Sequence, residues 1–306
     1  MKLSSRLQCL FGVGLLLLSI SHWFPLGINL LELLSAFAHF SFVLALLVTL
    51  ITAIFRLYIL SVLSLVSGLI CGILVVPHFT SMETAEEADF IIGQFNLYHN
   101  NSTSEQAIIE LSNQNADIFT IQELSNDWSV FTDSILEFSH PYTIEAPWDS
   151  CCYGIGLYSK FPIASYEVLD LANTPTIIAH VVIENEDVTV VSLHTRPPAF
   201  PNETETRNRQ LQAIAEIVSR ENGPCLVIGD FNVVPWDSEF KKFLEQAKLL
   251  AARDGFQATY PMDLGIPLIP IDYITYSKGL VPASIETISI PRSDHKGLVG
   301  SFRFVN

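Results

Sequence analysis

An α/β (α+β) domain of mixed β-sheets, preceded by apolar transmembrane helices, is what this 306-residue sequence predicts, on three observations. The charge is unevenly placed: Lys2, Arg6 and Arg56 against Glu32 leave residues 1–80 at +2, so the remainder carries −18 of the chain's net −16. Residues 7–79 hold only two formal charges, Glu32 and Arg56. From residue 90 onward, short apolar runs of strand length mix with segments of helical period, and few of them form strict strand–helix–strand units.

The apolar part comes first. A bilayer-spanning helix needs roughly 20 mainly apolar residues. Three stretches approach this: 7–24, 33–55 and 57–76. The first follows Lys2 and Arg6, as a signal peptide would. However, Ser-His-Trp-Phe-Pro after Ile20 offers no small-residue cleavage site, so an uncleaved span is expected. Basic residues stay on the cytoplasmic side. Three spans keep Lys2, Arg6 and Arg56 inside and put the acidic domain on the outer, periplasmic side of the cell (inner) membrane. His39 falls within a span and reads as a neutral packing residue. Residues 81–89, polar and acidic, read as a linker, and 90–306 as the folded domain.

Strands are expected at 90–95, 117–122, 154–159, 177–183, 188–193, 224–228, 271–276, 283–290 and 298–304. Helices are expected at 104–113, 128–138, 203–220 and 238–250. In the third of these, Leu211, Ile214, Ala215 and Val218 recur at helical spacing. The five cysteines include no Cys-x-x-Cys pair, which argues against zinc. Cys9, Cys71 and Cys225 read as small hydrophobes. The adjacent Cys151 and Cys152 would close a disulfide only in strained geometry. Tyr273 and Tyr276 read as packing residues.

Several strands end in polar residues that a core would exclude: Gln94 with Asn96, Gln122-Glu123, His194, Asp230 with Asn232, Asp272, and Asp294-His295. If the strands lie side by side, these ends converge. Carboxylate and amide oxygens bind hard cations such as Mg²⁺ or Mn²⁺, and a bound cation polarises a phosphoryl oxygen. A histidine aligned by a carboxylate can act as general base, and amide and imidazole donors can hold developing charge. Taken singly, each residue has an ordinary reading. Asp230 and Asn232 suit a turn, Asp272 a cap, His194 a satisfied core position and Asn96 an Asx turn. The joint occurrence favours a site.

The fragments also fall in a recognisable order: FN at 95–96, QE at 122–123, GIGLYSK at 154–160, SLH at 192–194, GDFN at 229–232, ID at 271–272 and SDH at 293–295. In this the chain resembles the endonuclease/exonuclease/phosphatase superfamily, the deoxyribonuclease-I-like fold, over residues 90–304. The stretches at 207–210 and 253–261 resemble its membrane-anchored bacterial members. The resemblance implies a four-layered α/β sandwich and a divalent-metal-dependent phosphoesterase. It implies Glu123 as principal metal ligand, completed by Asn96 and Asp294. His295 would contact the scissile phosphate or activate water, with Asp272 orienting it. Asp230 would align or deprotonate the water, and Asn232 and His194 would stabilise the transition state. Whether Asp230 or His295 is the base stays open.

The implied partners are a phosphate-ester substrate and the lipid bilayer, with no protein partner. A strongly acidic domain repels nucleic-acid phosphates at long range, although a bound cation reverses the field locally. Phosphodiester hydrolysis of a nuclease-like kind is the leading expectation. A phospholipid or inositol-phosphate phosphatase is the alternative. The intact acids and histidines argue against a catalytically inactive surface or scaffold module. An arginine of 207–210, or Arg196, is a candidate for a substrate phosphate, with pairing to surface acids as the plainer reading.

Overall fold

The computed structural model describes residues 3–24, 28–149, 152–199, 202–263 and 265–305; Lys2 and Cys151 lie outside them. Four helices come first: α1 (Ser5–Ser21), α2 (Asn29–Ala36), α3 (Ala38–Ile54) and α4 (Tyr58–Val75), the last followed by a 3-10 turn, Val76–Phe79. Glycines set their spacing. A Cβ on Gly12 would lie 2.4 Å from Leu63, and one on Gly72 would lie 3.0 Å from Phe42, so α1 and α3 both approach α4 closely. Trp23 Nε1 donates to the Ile70 carbonyl at 3.2 Å, and Ser61 Oγ to that of Thr49 at 3.2 Å. With these contacts α1 runs in the direction of α4, and α3 runs against both. Arg56, at φ 59° in the turn between α3 and α4, therefore shares one end of the bundle with Arg6.

Among the described residues, Tyr58–Phe79 is the one helix long and apolar enough to cross a membrane by itself. α2 and α3 pass only as a pair and are bent by 69°, and α1 is shorter. Three straight spans are thus not supported. The expected helix 33–55 breaks at Phe37 (φ −102°, ψ 21°), with no proline or glycine there to cause it. The cause is tertiary. Trp236 Nε1 donates to the Ser35 carbonyl at 2.8 Å. Ala38, Leu74 and Val75 form one buried cluster with Val234, Trp236, Ile269 and Ile271. His39 packs against Trp236 and Phe256 across this seam. Residues 81–89 follow the domain surface, where Met82 N donates to Arg253 O at 3.3 Å and Ala85 N to Pro282 O at 2.9 Å.

The remaining chain folds as β1 (Phe90–Asn96), α5 (Ser104–Ser112), β2 (Ile118–Gln122), α6 (Asn126–Leu136), β3 (Tyr142–Ala146), β4 (Ile155–Ser159), β5 (Ile163–Asp170), β6 (Pro175–Ile183), β7 (Glu186–His194), α7 (Glu203–Val218), β8 (Cys225–Asp230), α8 (Ser238–Ala247), β9 (Leu249–Ala251), β10 (Asp272–Ser277), β11 (Leu280–Ser289) and β12 (Lys296–Phe304). Two six-stranded sheets result, ordered β11-β12-β1-β2-β4-β3 and β5-β6-β7-β8-β10-β9. Each is mixed, with one parallel pair: β1 with β2, and β7 with β8.

The inner faces meet in a core that includes Ile92, Leu157, Val190, Ile228, Ile274 and Phe302. Fully burying such a side chain contributes about 1.5–3 kcal/mol. α5 and α6 cover the outer face of the first sheet through Ile108, Leu111 and Trp128. α7 and α8 cover the second through Leu211, Ile214, Phe240 and Phe243. The domain is therefore an α/β sandwich of two mixed sheets flanked by helices, as expected. Cys225, Tyr273 and Tyr276 are buried in it, and Cys71 is buried in the bundle, but Cys9 is exposed.

Candidate active site

Strand register alone assembles half of the site. β8 pairs Asp230 with Asp272 on one side and with His194 on the other. Gly229 makes this possible. A Cβ there would lie 1.9 Å from the Leu193 carbonyl, and its φ of 148° is one that L side chains rarely adopt. The first sheet supplies Asn96 at the end of β1, Glu123 just past β2, and Asp294 and His295 just before β12. Glu123 (φ 66°) and Asn232 (φ 48°) are both held in the left-handed region, a strained backbone that clusters at functional sites.

The side chains converge on Asp230, whose Oδ2 accepts from Asn96 Nδ2 at 3.1 Å. The same oxygen lies 3.5 Å from His194 Nε2 and 3.7 Å from His295 Nε2. Its Oδ1 accepts from the Asn232 amide at 2.9 Å. On the far face of His295, Nδ1 lies 2.8 Å from Asp272 Oδ2. The other oxygen of Asp272 accepts from Gln94 Nε2 at 2.7 Å. The result is a buried relay, Gln94–Asp272–His295–Asp230.

Charge follows from this packing. Burial by itself would lower His295, but Asp272, its hydrogen bond, Asp230 and Asp294 outweigh it and raise the imidazole to about 10. Burial, and then Asp272, push the Asp230 carboxyl well above the usual carboxylate range. Burial, and then the charge of His295, lower His194 to about 4. His295 is therefore an imidazolium at neutral pH, His194 is a neutral imidazole, and Asp230 has an unusual affinity for a proton.

Eight residues were expected at the site, and the structure brings them together. Some present unexpected atoms. Asn96 turns its Nδ2 toward Glu123 (3.3 Å) and Asp230, while its Oδ1 accepts from Tyr98 N at 3.0 Å. In this orientation it offers the cluster a donor. The side-chain amide of Asn232 donates to Thr195 O at 2.9 Å. Arg207 is buried and holds Asn232 O at 3.1 Å and Asp237 at 3.4 Å. Arg196 lies over the Tyr153 ring at 4.0 Å. Sequence reasoning noted Gln94 as a polar strand-end residue but gave it no role; it is the donor behind Asp272. Nor did that reasoning give a role to Ser293, which donates to Asn96 O at 2.7 Å and accepts from His295 N at 3.0 Å. A polar residue inside the apolar run 90–95 was the available signal for the first.

Two groups of residues compete as a cation seat. Ligand atoms of Asp230, Asp272 and His295 lie within 4.8 Å of one another. However, both Asp272 oxygens already accept hydrogen bonds, so this triad reads better as the relay. Among the described residues, Glu123 accepts only from His99 N at 2.6 Å and from Asn96. Asp294 Oδ1 is buried with no hydrogen-bond partner among the described residues. Burial raises both carboxyls. A hard divalent cation would satisfy them, and it suits an oxygen donor set.

A family model described as the Endonuclease/Exonuclease/phosphatase family matches residues 93–295. No curated protein matches. Among solved structures, TDP2 of D. rerio complexed with single strand DNA product is 16% identical, covers 70% of this chain and 98% of its own, and superposes with a TM-score of 0.59. An endonuclease/exonuclease/phosphatase from Bacteroides vulgatus gives 16%, 71%, 99% and 0.58. Sphingomyelinase C from Streptomyces griseocarneus gives 14%, 69%, 98% and 0.55. At these identities the likeness is one of fold.

Proposed function

Since this chain belongs to the endonuclease/exonuclease/phosphatase family, we propose that it hydrolyses phosphodiester bonds by attack of an activated water. The observation that carries this is the placement of Asp230, whose Oδ2 lies 3.5 Å from His194 Nε2 and 3.7 Å from His295 Nε2. Asp230 takes the proton of the attacking water. His295, held by Asp272 as an imidazolium, directs Nε2–H at a phosphoryl oxygen, and neutral His194 donates from the other side. Glu123 and Asp294, with Asn96 beside them, would hold Mg²⁺ or Mn²⁺. Once bound, such a cation polarises a phosphoryl oxygen and stabilises the leaving oxygen. The products are an alcohol and a phosphomonoester.

The solved structures of this fold include TDP2 complexed with single strand DNA product and a sphingomyelinase C, so nucleic-acid and lipid diesters are both candidate substrates. A doubly charged monoester, the phosphatase alternative, is less favoured because Arg196 and Arg207 are already engaged within the protein. The test is turnover of bis(p-nitrophenyl) phosphate by the full chain. We expect Mg²⁺-dependent hydrolysis, abolished by EDTA and restored by Mg²⁺. Activity indifferent to chelation would remove the cation from the reading.

We further propose that the helical bundle anchors the protein in a membrane, as in membrane-anchored bacterial members of the family. Its helices expose large apolar side chains, among them Leu17 (64%), Ile54 (68%) and Ile73 (67%). Arg6 and Arg56 lie together at the end away from the sandwich, which by the positive-inside rule puts the catalytic domain on the outer, periplasmic face. Protease added to spheroplasts should then remove the domain. Protection until the membrane is breached would reverse the topology.

A further inference from the structure

The helical bundle does more than adjoin the sandwich. The catalytic cavity, about 290 Å³, has Glu123, Asp230, Asp294 and His295 in its lining, and Leu33, Ala36 and Phe37 of the α2–α3 segment line it too. Pro197, Pro198 and Ala199 add a further apolar wall. A second cavity, about 370 Å³, lies within the bundle and is lined by Leu18, Leu34, Phe40, Leu44, Leu47 and, again, Phe37. Phe37 is thus common to a cavity that ends in carboxylates and imidazoles and one that is almost wholly apolar. It is also the residue at which the helix breaks by 69°. Leu30 (65% exposed) and Phe40 (47%) carry the apolar surface outward from there.

Building on the phosphodiesterase reading, we propose that α2 forms one wall of the substrate site and that the substrate is a membrane lipid with a phosphodiester headgroup. Its phosphate enters the catalytic cavity, and a hydrocarbon chain passes Phe37 into the bundle groove. A polyanion suits this entrance poorly. The residues beyond 80 carry −18; of the charged side chains lining the cavity outside the catalytic cluster, Glu32 on α2 is acidic and Arg207 is already paired with Asp237, so a string of phosphates meets little free counter-charge. A hydrocarbon chain, in contrast, gains from each methylene taken out of water, up to about fourfold in affinity.

The test uses the full chain with Mg²⁺ and a series of alkyl p-nitrophenyl phosphodiesters from ethyl to dodecyl, each below its own micelle concentration. The wild type should show kcat/KM rising at least about tenfold from ethyl to octyl. Ala36→Trp, which fills the slot, should flatten that rise to about twofold. Leu33→Asn, at a site already 38% exposed and so of little risk to folding, should reduce it. A flat series in an active wild type, or an undiminished rise in both variants, overturns the lipid assignment. So does preferred cleavage of plasmid DNA or RNA. If even the ethyl diester is untouched with Mg²⁺ present, the phosphodiesterase reading itself fails. Ethyl turnover that Glu123→Gln removes, without any chain-length dependence, sinks only the lipid.

Discussion

Each sheet of the sandwich contains one parallel strand pair, and each pair delivers one polar couple to the site. β1 and β2 deliver Asn96 and Glu123, and β7 and β8 deliver His194 and Asp230. The placement is alike and the surroundings are opposite. Among the described residues, Glu123 is met by two N–H donors, with no positive group bonded to it, and it stands near the carboxylate of Asp294. Asp230 stands between two imidazoles, one of them charged. On the proposed reading, the same local geometry yields a seat for a cation on one sheet and a proton acceptor on the other. The difference lies in what the neighbouring strand ends contribute: β12 brings a carboxylate next to Glu123, and β10 brings a carboxylate that charges the histidine beside Asp230.

The comparison can be broken most sharply on the proton side. His295→Ala and Asp272→Asn should each lower turnover by roughly 10²–10⁴, the scale of general acid–base work. As a unit their losses should not multiply. A double-mutant cycle on bis(p-nitrophenyl) phosphate reads this, and fully multiplicative losses in folded variants would dissolve the relay. On the cation side, Glu123→Gln should lower turnover about 10² or more and move the Mg²⁺ titration to higher concentration. An unchanged titration would shift the cation to the Asp230–Asp272–His295 cluster and erase the distinction.

Two smaller effects sharpen it. Gln94→Leu removes a donor from a buried carboxylate, a loss of about 1.5 kcal/mol or more. It should reduce kcat about tenfold in the native background and hardly at all beside Asp272→Asn, since it works only through that residue. The last effect is one of stability. The folded-state value of His295, about 10, lies above its ordinary 6.5. Its contribution is therefore complete below pH 6.5 and fades as pH rises through 10. The thermal midpoint of the full chain should fall across that window, and less so in His295→Gln. A variant with the wild-type slope would assign the decline to other groups.

Strands buried on both faces were legible in the sequence, because β1, β2, β4 and β8 each read as short apolar runs ending in a polar residue. The edge strands β3 and β5 were not. β5 is largely exposed, so Ile163–Asp170 carries no burial pattern to detect. The break at Phe37 was equally hidden, since its cause, the indole of Trp236, bonds Ser35 from 201 residues away along the chain. All eight expected residues meet at the site because they interrupt apolar runs in a telling order. Gln94 stood out only as a polar residue inside the apolar run 90–95; its role depends on Asp272, 178 residues away, and nothing local in Phe90–Asn96 names that partner.

The place of β12 between β11 and β1 has a consequence for how the molecule is made. β1 is synthesised first among the strands, yet one of its two neighbours is the last to emerge, with Phe90 paired to Phe302. At ribosomal speeds of about 5–20 residues per second, β1 waits on the order of ten seconds or more with an open edge. Asp294 and His295 arrive at the same late moment. The nascent chain therefore has its helical bundle, and most of its sandwich, before it can have a catalytic centre. Chains that stop before Asp294 and His295 should accordingly be inert in the proposed reaction.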